Sequence, residues 1–299
     1  MHAAGIPHSV HSMACAGWVM RQLALASVAL VIAGCTGASS YFDASDAPDT
    51  VANGSVDPRL ALTRAVGGPL APFVRNMAAP YGLLHYAAGL EAHLRATLRP
   101  LDIILVRSRS ALTRAFFPSY FTHSIVWLGT PEEMRANGGL RVAGVHAASI
   151  LAGNTVYESA GDAVRLRDIS EVLNTDEILI LRPQGLNQAR ARAKYLDLLN
   201  KIGTPFDYNF DHFDKLRLTC MEAIADAFPE FEIPVRYTTG RYAIIPDDIV
   251  HRALSPGSGL VLVEYLRSSG SNTFAIHDQK AAAAVLSEPR AKPQLTTIY

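Results

Sequence analysis

One cysteine in the chain has the surroundings of a nucleophile. Cys220 follows Thr219, a good helix N-cap, and Glu222 stands three residues after Thr219 in a capping-box pattern. Residues 221–228 are mostly good helix formers, and Pro229 ends the run. Cys220 is therefore predicted in the first turn of a helix, where the partial positive charge favours the reactive thiolate. The alternative is a small buried cysteine without chemistry.

A thiolate nucleophile needs a base, and the base needs a group that orients it. His123 is the best candidate for the base because it stands at the entrance of a predicted strand, 122–129, beside small polar residues. Glu158 is the best candidate for the orienting group, since it is charged within an otherwise apolar and small strand, 155–160. The alternatives are a histidine held by a strand-end hydrogen bond and a glutamate that faces outward on an alternating strand.

The composition argues against several other kinds of chemistry. The formal net charge is +0, and there is no basic run or basic and aromatic patch of the kind that binds nucleic acid. The sequence holds no Cys-x-x-Cys and no His-Glu-x-x-His, so we expect no metal site and no cofactor. It also holds no Gly-x-Ser-x-Gly and no Ser-x-x-Lys, the usual settings of a serine nucleophile.

The elements that must position these residues follow from the hydrophobic pattern. Aliphatic and β-branched runs predict strands, whereas amphipathic or capped runs predict helices. The predicted strands are 101–106, 122–129, 140–151, 155–160, 177–182 and 259–267, and the predicted helices are 167–174, 186–202, 221–228 and a segment that begins near Pro246. Strands in succession, with helices bunched before and after them, indicate an α+β fold with an antiparallel sheet packed against helices.

Six short segments occur in an order that identifies a family. They are Pro100-Leu101-Asp102-Ile103-Ile104, Thr122-His123-Ser124-Ile125-Val126, Val156-Tyr157-Glu158-Ser159, Phe206-Asp207-Tyr208-Asn209-Phe210, Cys220-Met221-Glu222-Ala223 and Ile245-Pro246-Asp247-Asp248. Together they resemble the circularly permuted papain-like branch of the NlpC/P60 superfamily, with the YiiX/YebB-like hydrolases as the nearest group. The order is specific because the Cys precedes the His in ordinary papain-like enzymes and follows it here. The chain departs from the family at Leu101, Met221 and Ala223, which concerns pocket shape and substrate.

The resemblance implies a papain-like fold and a Cys-His-Glu triad that works without a metal. Cys220 would attack a carbonyl carbon, and His123 would take up the thiol proton and later protonate the leaving group. Glu158 would hold the imidazole in its tautomer. Backbone N–H groups at the helix start, including that of Cys220, would stabilise the oxyanion.

The N-terminus predicts export and lipidation. A short basic start at 20–22 precedes an apolar run, 23–33, that is shorter than the ~20 residues needed to span a membrane. Ile32-Ala33-Gly34-Cys35 then resembles a bacterial lipobox. Residues 1–35 are therefore predicted as a signal peptide with Cys35 as the lipidated residue, and an ordinary cleaved signal is the alternative. Residues 1–19 lack the features of an export signal, so Met20 is an alternative start.

The rest of the chain divides by composition. We expect a flexible tether at 36–58, a helical N-terminal extension at 59–99, the catalytic domain at 100–267 and a loose tail at 268–299. In a mature chain of this kind Cys220 is the only free thiol, which favours a chemical role.

These features predict a cysteine hydrolase of the bacterial cell envelope, lipid-anchored on the periplasmic side and expected at the outer membrane. The first candidate substrate is an amide bond of a peptidoglycan stem peptide, cleaved through a thioester. The second is a lipid ester or amide, hydrolysed or transferred by the same triad, since relatives of this branch act on lipids and an aromatic stretch, 116–121, stands just before His123. The third is a catalytically idle lipoprotein that uses the cleft for binding.

Overall fold

The aliphatic run after Pro100 forms the first strand, β1 (Asp102–Arg107). The structure is a computed structural model, and it describes residues 82–108, 119–238, 241–270, 272–287 and 296–298. All of these belong to one compact unit, Thr50–Tyr299. The predicted signal peptide with Cys35, the predicted tether, residues 59–81 and the first half of the aromatic stretch before His123, 116–118, lie outside the described residues.

The described strands form two antiparallel sheets. After β1 come β2 (His123–Trp127), β3 (Val156–Ala160), β4 (Ala163–Arg167), β5 (Glu177–Pro183), β6 (Val235–Thr238), β7 (Arg241–Ile244), β8 (Leu260–Gly270), β9 (Thr273–His277) and β10 (Thr296–Ile298). The large sheet has the order β4-β3-β2-β1-β5-β8-β9, and the small sheet has the order β10-β6-β7. Neighbouring strands are antiparallel throughout both sheets. The predicted α+β fold with an antiparallel sheet is therefore confirmed.

Helices cover this sheet and connect its strands. They are α1 (Leu90–Thr97), α2 (Pro131–Ala136), α3 (Gly139–Val142), α4 (Ala147–Leu151), α5 (Gln188–Asn200), α6 (Cys220–Ala227), α7 (Pro246–Leu254) and α8 (Gln279–Ser287). Short 3-10 turns occur at Leu83–Tyr86, Gly144–His146, Ile169–Leu173 and Pro229–Phe231. None of the helices within the described ranges combines the length and the hydrophobicity that a membrane-spanning helix needs.

Both faces of the large sheet are buried, which explains why β1 is a continuous hydrophobic run. Ile103 and Leu105 belong to a core that contains Cys220 and residues of α5, α6 and α7. Ile104 and Val106 belong to a second core with Leu90 and other leucines of the segment 82–98. The described part of the N-terminal extension therefore packs in the core that does not contain Cys220.

The prediction of a strand at 140–151 is wrong, because this segment forms α3, a 3-10 turn and α4. Gly139 lies so close to α5 that a Cβ there would be 2.9 Å from the ring of Tyr195. The start of α3 therefore packs closely against α5, a long-range contact that the local pattern of apolar residues does not reveal.

The prediction of a loose tail from 268 is wrong for residues up to 287. Strand β8 continues to Gly270 and pairs with β9, and α8 follows. Ala282 and Val285 of α8 are buried in the core that contains Cys220. The compact domain therefore extends about 20 residues beyond the predicted boundary at 267.

Candidate active site

The first turn of α6 presents Cys220 as the sequence predicts. The side chain of Thr219 accepts a hydrogen bond from the N–H of Glu222, and the carboxylate of Glu222 accepts one from the N–H of Thr219. This capping box fixes where the helix begins and leaves Cys220 as its first residue. Cys220 is 8% exposed, so the sulfur lies at the edge of the core.

The segment before Cys220 is tied to the large sheet. The hydroxyl of Ser159 in β3 donates to the carbonyl of Leu218 over 2.7 Å. The same carbonyl accepts from the N–H of Asp207, which begins the turn of the aromatic and acidic segment. On the other side of the helix start, Nδ1 of His212 lies 3.1 Å from the buried carboxylate of Glu222. The position of the thiol therefore depends on β3 and on the loop 206–218.

Strand pairing places His123 and Glu158 together. Glu158 of β3 is the Cα partner of Ile125, which stands two residues after His123 in β2. Because side chains alternate along a strand, those of His123 and Glu158 lie on the same side of neighbouring strands as diagonal neighbours. Their side chains meet with Nε2 of His123 3.0 Å from Oε2 of Glu158. This bond leaves Nδ1 of the imidazole for the thiol.

The negative charge of the Cys220 thiolate and the positive charge of the His123 imidazolium stabilise each other. Burial opposes the charged form of the thiol, but the imidazolium of His123 and hydrogen bonds with His123 and Ser124 lower the pKa of Cys220 below its ordinary value. Burial also opposes a charge on the imidazole. The negative charge of Cys220 and the bond to Glu158 nevertheless raise the pKa of His123 to about 10. Both shifts are in the direction that favours a thiolate and imidazolium pair, and the thiolate is the nucleophilic form of cysteine.

Two arginines that the sequence analysis did not single out complete the surroundings of Glu158. Arg165 and Arg167 of β4 both contact Oε1 of this carboxylate. Burial alone would raise the pKa of Glu158, but the hydrogen bond and charge of His123 and the charges of the two arginines hold this pKa far below its usual range. The Arg-Leu-Arg alternation at 165–167 is a strand pattern that would have placed both guanidinium groups on one face.

The carboxylate of Asp247 holds the chain that enters β2. It accepts hydrogen bonds from the N–H of Tyr120 over 2.7 Å and from the N–H of Phe121 over 3.0 Å. Asp247 stands in the first turn of α7, where Pro246 occupies the first helical position. This contact gives a role to the Ile245-Pro246-Asp247-Asp248 segment, because it fixes the residues directly before His123.

An open pocket of about 370 Å³ lies in the loop before Cys220. It is lined by Asn209, Asp211, Phe213, Asp214 and Arg217. The lining combines carboxylate, guanidinium and amide groups with apolar surface, to which Phe213 contributes. A group with both polar and apolar parts therefore fits the pocket.

The structure thus brings together the three side chains that the sequence analysis selected as a triad. The predicted lipidation residue, Cys35, lies outside the described residues. Within the described residues, no group of three or more His, Cys, Asp or Glu side chains is arranged to hold a metal ion.

A comparison with protein-family models finds a match over most of the described domain. The model described as "Permuted papain-like amidase enzyme, YaeF/YiiX, C92 family" matches residues 97–285, which is more than half of the chain. Searches of curated proteins and of solved structures returned no match.

Proposed function

Because the chain belongs to the permuted papain-like amidase family of cysteine hydrolases, we propose that it cleaves an amide bond in the bacterial cell envelope through Cys220, His123 and Glu158. The observation that carries this proposal is the chain of contacts from the thiol at a capped helix start, through the imidazole, to a buried carboxylate. A thiol, a base and an orienting group in this sequence are what acyl transfer to sulfur requires.

The first half of the reaction forms a thioester. Sγ of Cys220 attacks the carbonyl carbon, while the proton of the thiol resides on Nδ1 of His123. We expect the N–H of Cys220 to be among the donors to the oxyanion, since the first N–H groups of a helix have no intrahelical acceptor. The C–N bond then breaks, and the leaving nitrogen takes the proton from His123.

The second half restores the enzyme. His123, now neutral, accepts a proton from water as the water oxygen attacks the thioester carbon. The C–S bond breaks, the carboxylic acid leaves, and the proton on His123 again pairs with the thiolate of Cys220. Glu158 stays ionised throughout and keeps Nε2 of the imidazole in place.

A peptidoglycan stem peptide is the first candidate substrate. It combines amide bonds with free carboxylates and amines, and the pocket in the loop before Cys220 is lined by Asp211 and by the ion pair of Asp214 with Arg217. The predicted lipid anchor would hold the enzyme beside the cell wall. A lipid ester or amide is the second candidate, because Phe213 and Leu216 in the same loop are 54% and 81% exposed and would suit an acyl chain or a membrane surface. An idle binding protein fits less well with the lowered pKa of Cys220.

The test compares the full-length wild type with Cys220→Ala on two panels, peptidoglycan fragments with intact stem peptides and lipid esters or amides. We expect the wild type to cleave a peptide amide and the variant to lose roughly 10⁴-fold or more of the rate. Unchanged thermal unfolding of the variant would show that the loss is chemical. Cleavage that persists in Cys220→Ala contradicts the proposed nucleophile, and cleavage of the lipid panel alone moves the assignment to the second candidate.

Localisation is tested separately with Cys35→Ala. We expect this variant to retain hydrolysis, because Cys35 has no part in the reaction, but to leave the membrane fraction and to lose incorporation of labelled fatty acid. Membrane attachment that survives the substitution would contradict lipidation at this residue.

A further inference from the structure

Glu158 has more ionic partners than an orienting group needs. Its Oε2 is bonded to His123, whereas Oε1 accepts from Nε of Arg165 over 2.9 Å, from Nη2 of Arg165 over 2.8 Å and from Nη1 of Arg167 over 3.0 Å. The two oxygens of one carboxylate are thus divided between two tasks. One oxygen contacts the base, and the other is bound by two permanent cations.

We propose that Arg165 and Arg167 are positioning residues for catalysis, which hold Glu158 ionised and aimed at His123 throughout the reaction. This inference rests on the proposed function of the Cys220, His123 and Glu158 site. It goes further by assigning a task to two residues of the edge strand β4 that do not touch the thiol.

The β3–β4 hairpin determines the placement of the arginines. Glu158 is the Cα partner of Arg165, and Val156 is the partner of Arg167, so both guanidinium groups reach the carboxylate from the same side of the sheet. The turn between the strands contains Gly161 with φ +64, and a Cβ there would lie 3.0 Å from Nη1 of Arg165. A left-handed glycine therefore both makes the turn and leaves room for the guanidinium.

Further contacts hold the clamp in place. The carbonyl of Gly161 accepts a hydrogen bond from the hydroxyl of Tyr208 over 2.6 Å, which links the turn to the loop before Cys220. Arg167 also forms an ion pair with Glu171 in the 3-10 turn after β4. Arg167 therefore has a second carboxylate partner besides Glu158, and the turn that precedes Arg165 is tied to the loop before Cys220.

The chemical need for the clamp arises when His123 is neutral. Burial disfavours the ionised form of Glu158, and His123 offsets this cost only while it carries a proton. In the thioester state the proton has left with the amine, so a carboxylate without other partners would tend to protonate or rotate. Two arginines do not titrate in this range, and they keep Oε2 available as an acceptor when His123 must take a proton from water.

The charged groups that the structure places against Glu158 are His123 from β2 and Arg165 and Arg167 from β4, with the thiol of Cys220 from α6 beyond the imidazole. A purely structural clamp would only strengthen the β3–β4 edge. A positioning clamp also changes the acid limit of thiolate reactivity, which gives a readout independent of any substrate.

The experiment measures the rate of Cys220 alkylation by iodoacetamide against pH in the full-length protein, followed on the peptide that contains Cys220. The variants are Arg165→Gln, Arg167→Gln, the double variant, and a double variant with Lys at both positions. Arg190→Gln is the matched control, since Arg190 is an exposed arginine of α5 whose guanidinium donates to the carbonyl of Gly185. Thermal unfolding is recorded for every variant.

We expect the double Gln variant to move the acid limb of alkylation up by about one pH unit or more, because Glu158 then protonates in an ordinary range and no longer supports the imidazolium. The single variants should shift the acid limb less. The variant with Lys at both positions should lie between the double Gln variant and the wild type, because it keeps the positive charges. Hydrolysis by the double Gln variant should fall about tenfold or more, and Arg190→Gln should match the wild type.

The clamp is overturned if the arginine variants keep the wild-type profile. The proposed function still stands in that case, provided that the wild-type profile is shifted to acid and depends on His123. An ordinary thiol profile in the wild type overturns both. If the double Gln variant does not fold, the single and Lys variants decide in the same way, since a shift in them supports the clamp and an unchanged profile refutes it.

Discussion

Asp102 and Glu158 are both buried carboxylates of the large sheet that are bound by arginine, and they serve different ends. Asp102 begins β1, and its carboxylate accepts hydrogen bonds from Nε and Nη2 of Arg182 over 2.8 and 2.7 Å. It also accepts one from the N–H of Arg99. Arg182 also donates to the carbonyl of Thr97, so the group joins β1, β5 and the end of α1. Every polar contact here is made to hold elements together.

Glu158 uses the same chemical parts with a different distribution. Arginines contact only its Oε1, and Oε2 contacts an imidazole that itself contacts a thiol. The pKa of Asp102 is raised, since burial outweighs its bond to Arg182, whereas the pKa of Glu158 is held well below its usual range. The two carboxylates therefore differ in one respect: both oxygens of Asp102 are bound to arginine, whereas one oxygen of Glu158 is bound to the titratable imidazole of His123.

The largest expected effect follows from removing the charge of Glu158. We expect Glu158→Gln to lower the hydrolysis rate by roughly 10²–10⁴-fold, because the amide neither stabilises the imidazolium nor fixes its tautomer. Steady-state kinetics on the cleaved substrate would measure this loss. A folded Glu158→Gln enzyme with a rate within a few-fold of the wild type would remove the distinction between the two carboxylates.

The second effect belongs to the other carboxylate. Asp102→Ala leaves the guanidinium of Arg182 without its buried partner, and we expect it to lower the free energy of unfolding by about 3–5 kcal/mol. Its hydrolysis rate per folded molecule should stay within a few-fold of the wild type. Urea unfolding and kinetics on the same sample separate the two quantities, and a selective loss of catalysis would show that Asp102 also serves the site.

The smallest effect is a difference of sign in the pH dependence of stability. The pKa of Asp102 in the folded state lies above its ordinary value of 3.8. In the pH range between the ordinary and the folded pKa, the folded state binds more protons than the unfolded state, so this group makes stability fall as pH rises. The folded pKa of Glu158 lies far below 4.5, so its contribution is present above this value and is lost as pH falls.

Asp102→Asn should therefore make stability rise more steeply with pH in this acid range, and Glu158→Gln should make it rise less steeply. Urea unfolding at intervals between about pH 3 and 6 would measure both slopes against the wild type. Changes of the same sign in the two variants would contradict the assigned directions.

Local signals were sufficient for much of the site. The capping box from Thr219 to Glu222 spans only four consecutive residues, and it correctly predicts that a helix starts at Cys220. Aliphatic runs also predict β1, β2, β3 and β5 to within a few residues. The contact between His123 and Glu158 needed the family resemblance, because strand register is not local information.

Long-range packing explains what the sequence analysis missed. The helices of 140–151 begin at Gly139, which packs closely against Tyr195, and α8 buries Ala282 and Val285 in the core. The role of Arg165 and Arg167 depends on a hairpin whose second strand was not predicted. These contacts join residues that no short window of sequence contains.

The measurement that tests the central claim most directly is the pH dependence of Cys220 alkylation in the wild type and in His123→Ala. We expect the wild type to react well below the ~8.5 pKa of an ordinary thiol, and His123→Ala to move this reactivity up towards that value. An ordinary or raised pKa in the wild type, or a profile that does not change without His123, would contradict an activated pair and would make Cys220 a buried structural thiol.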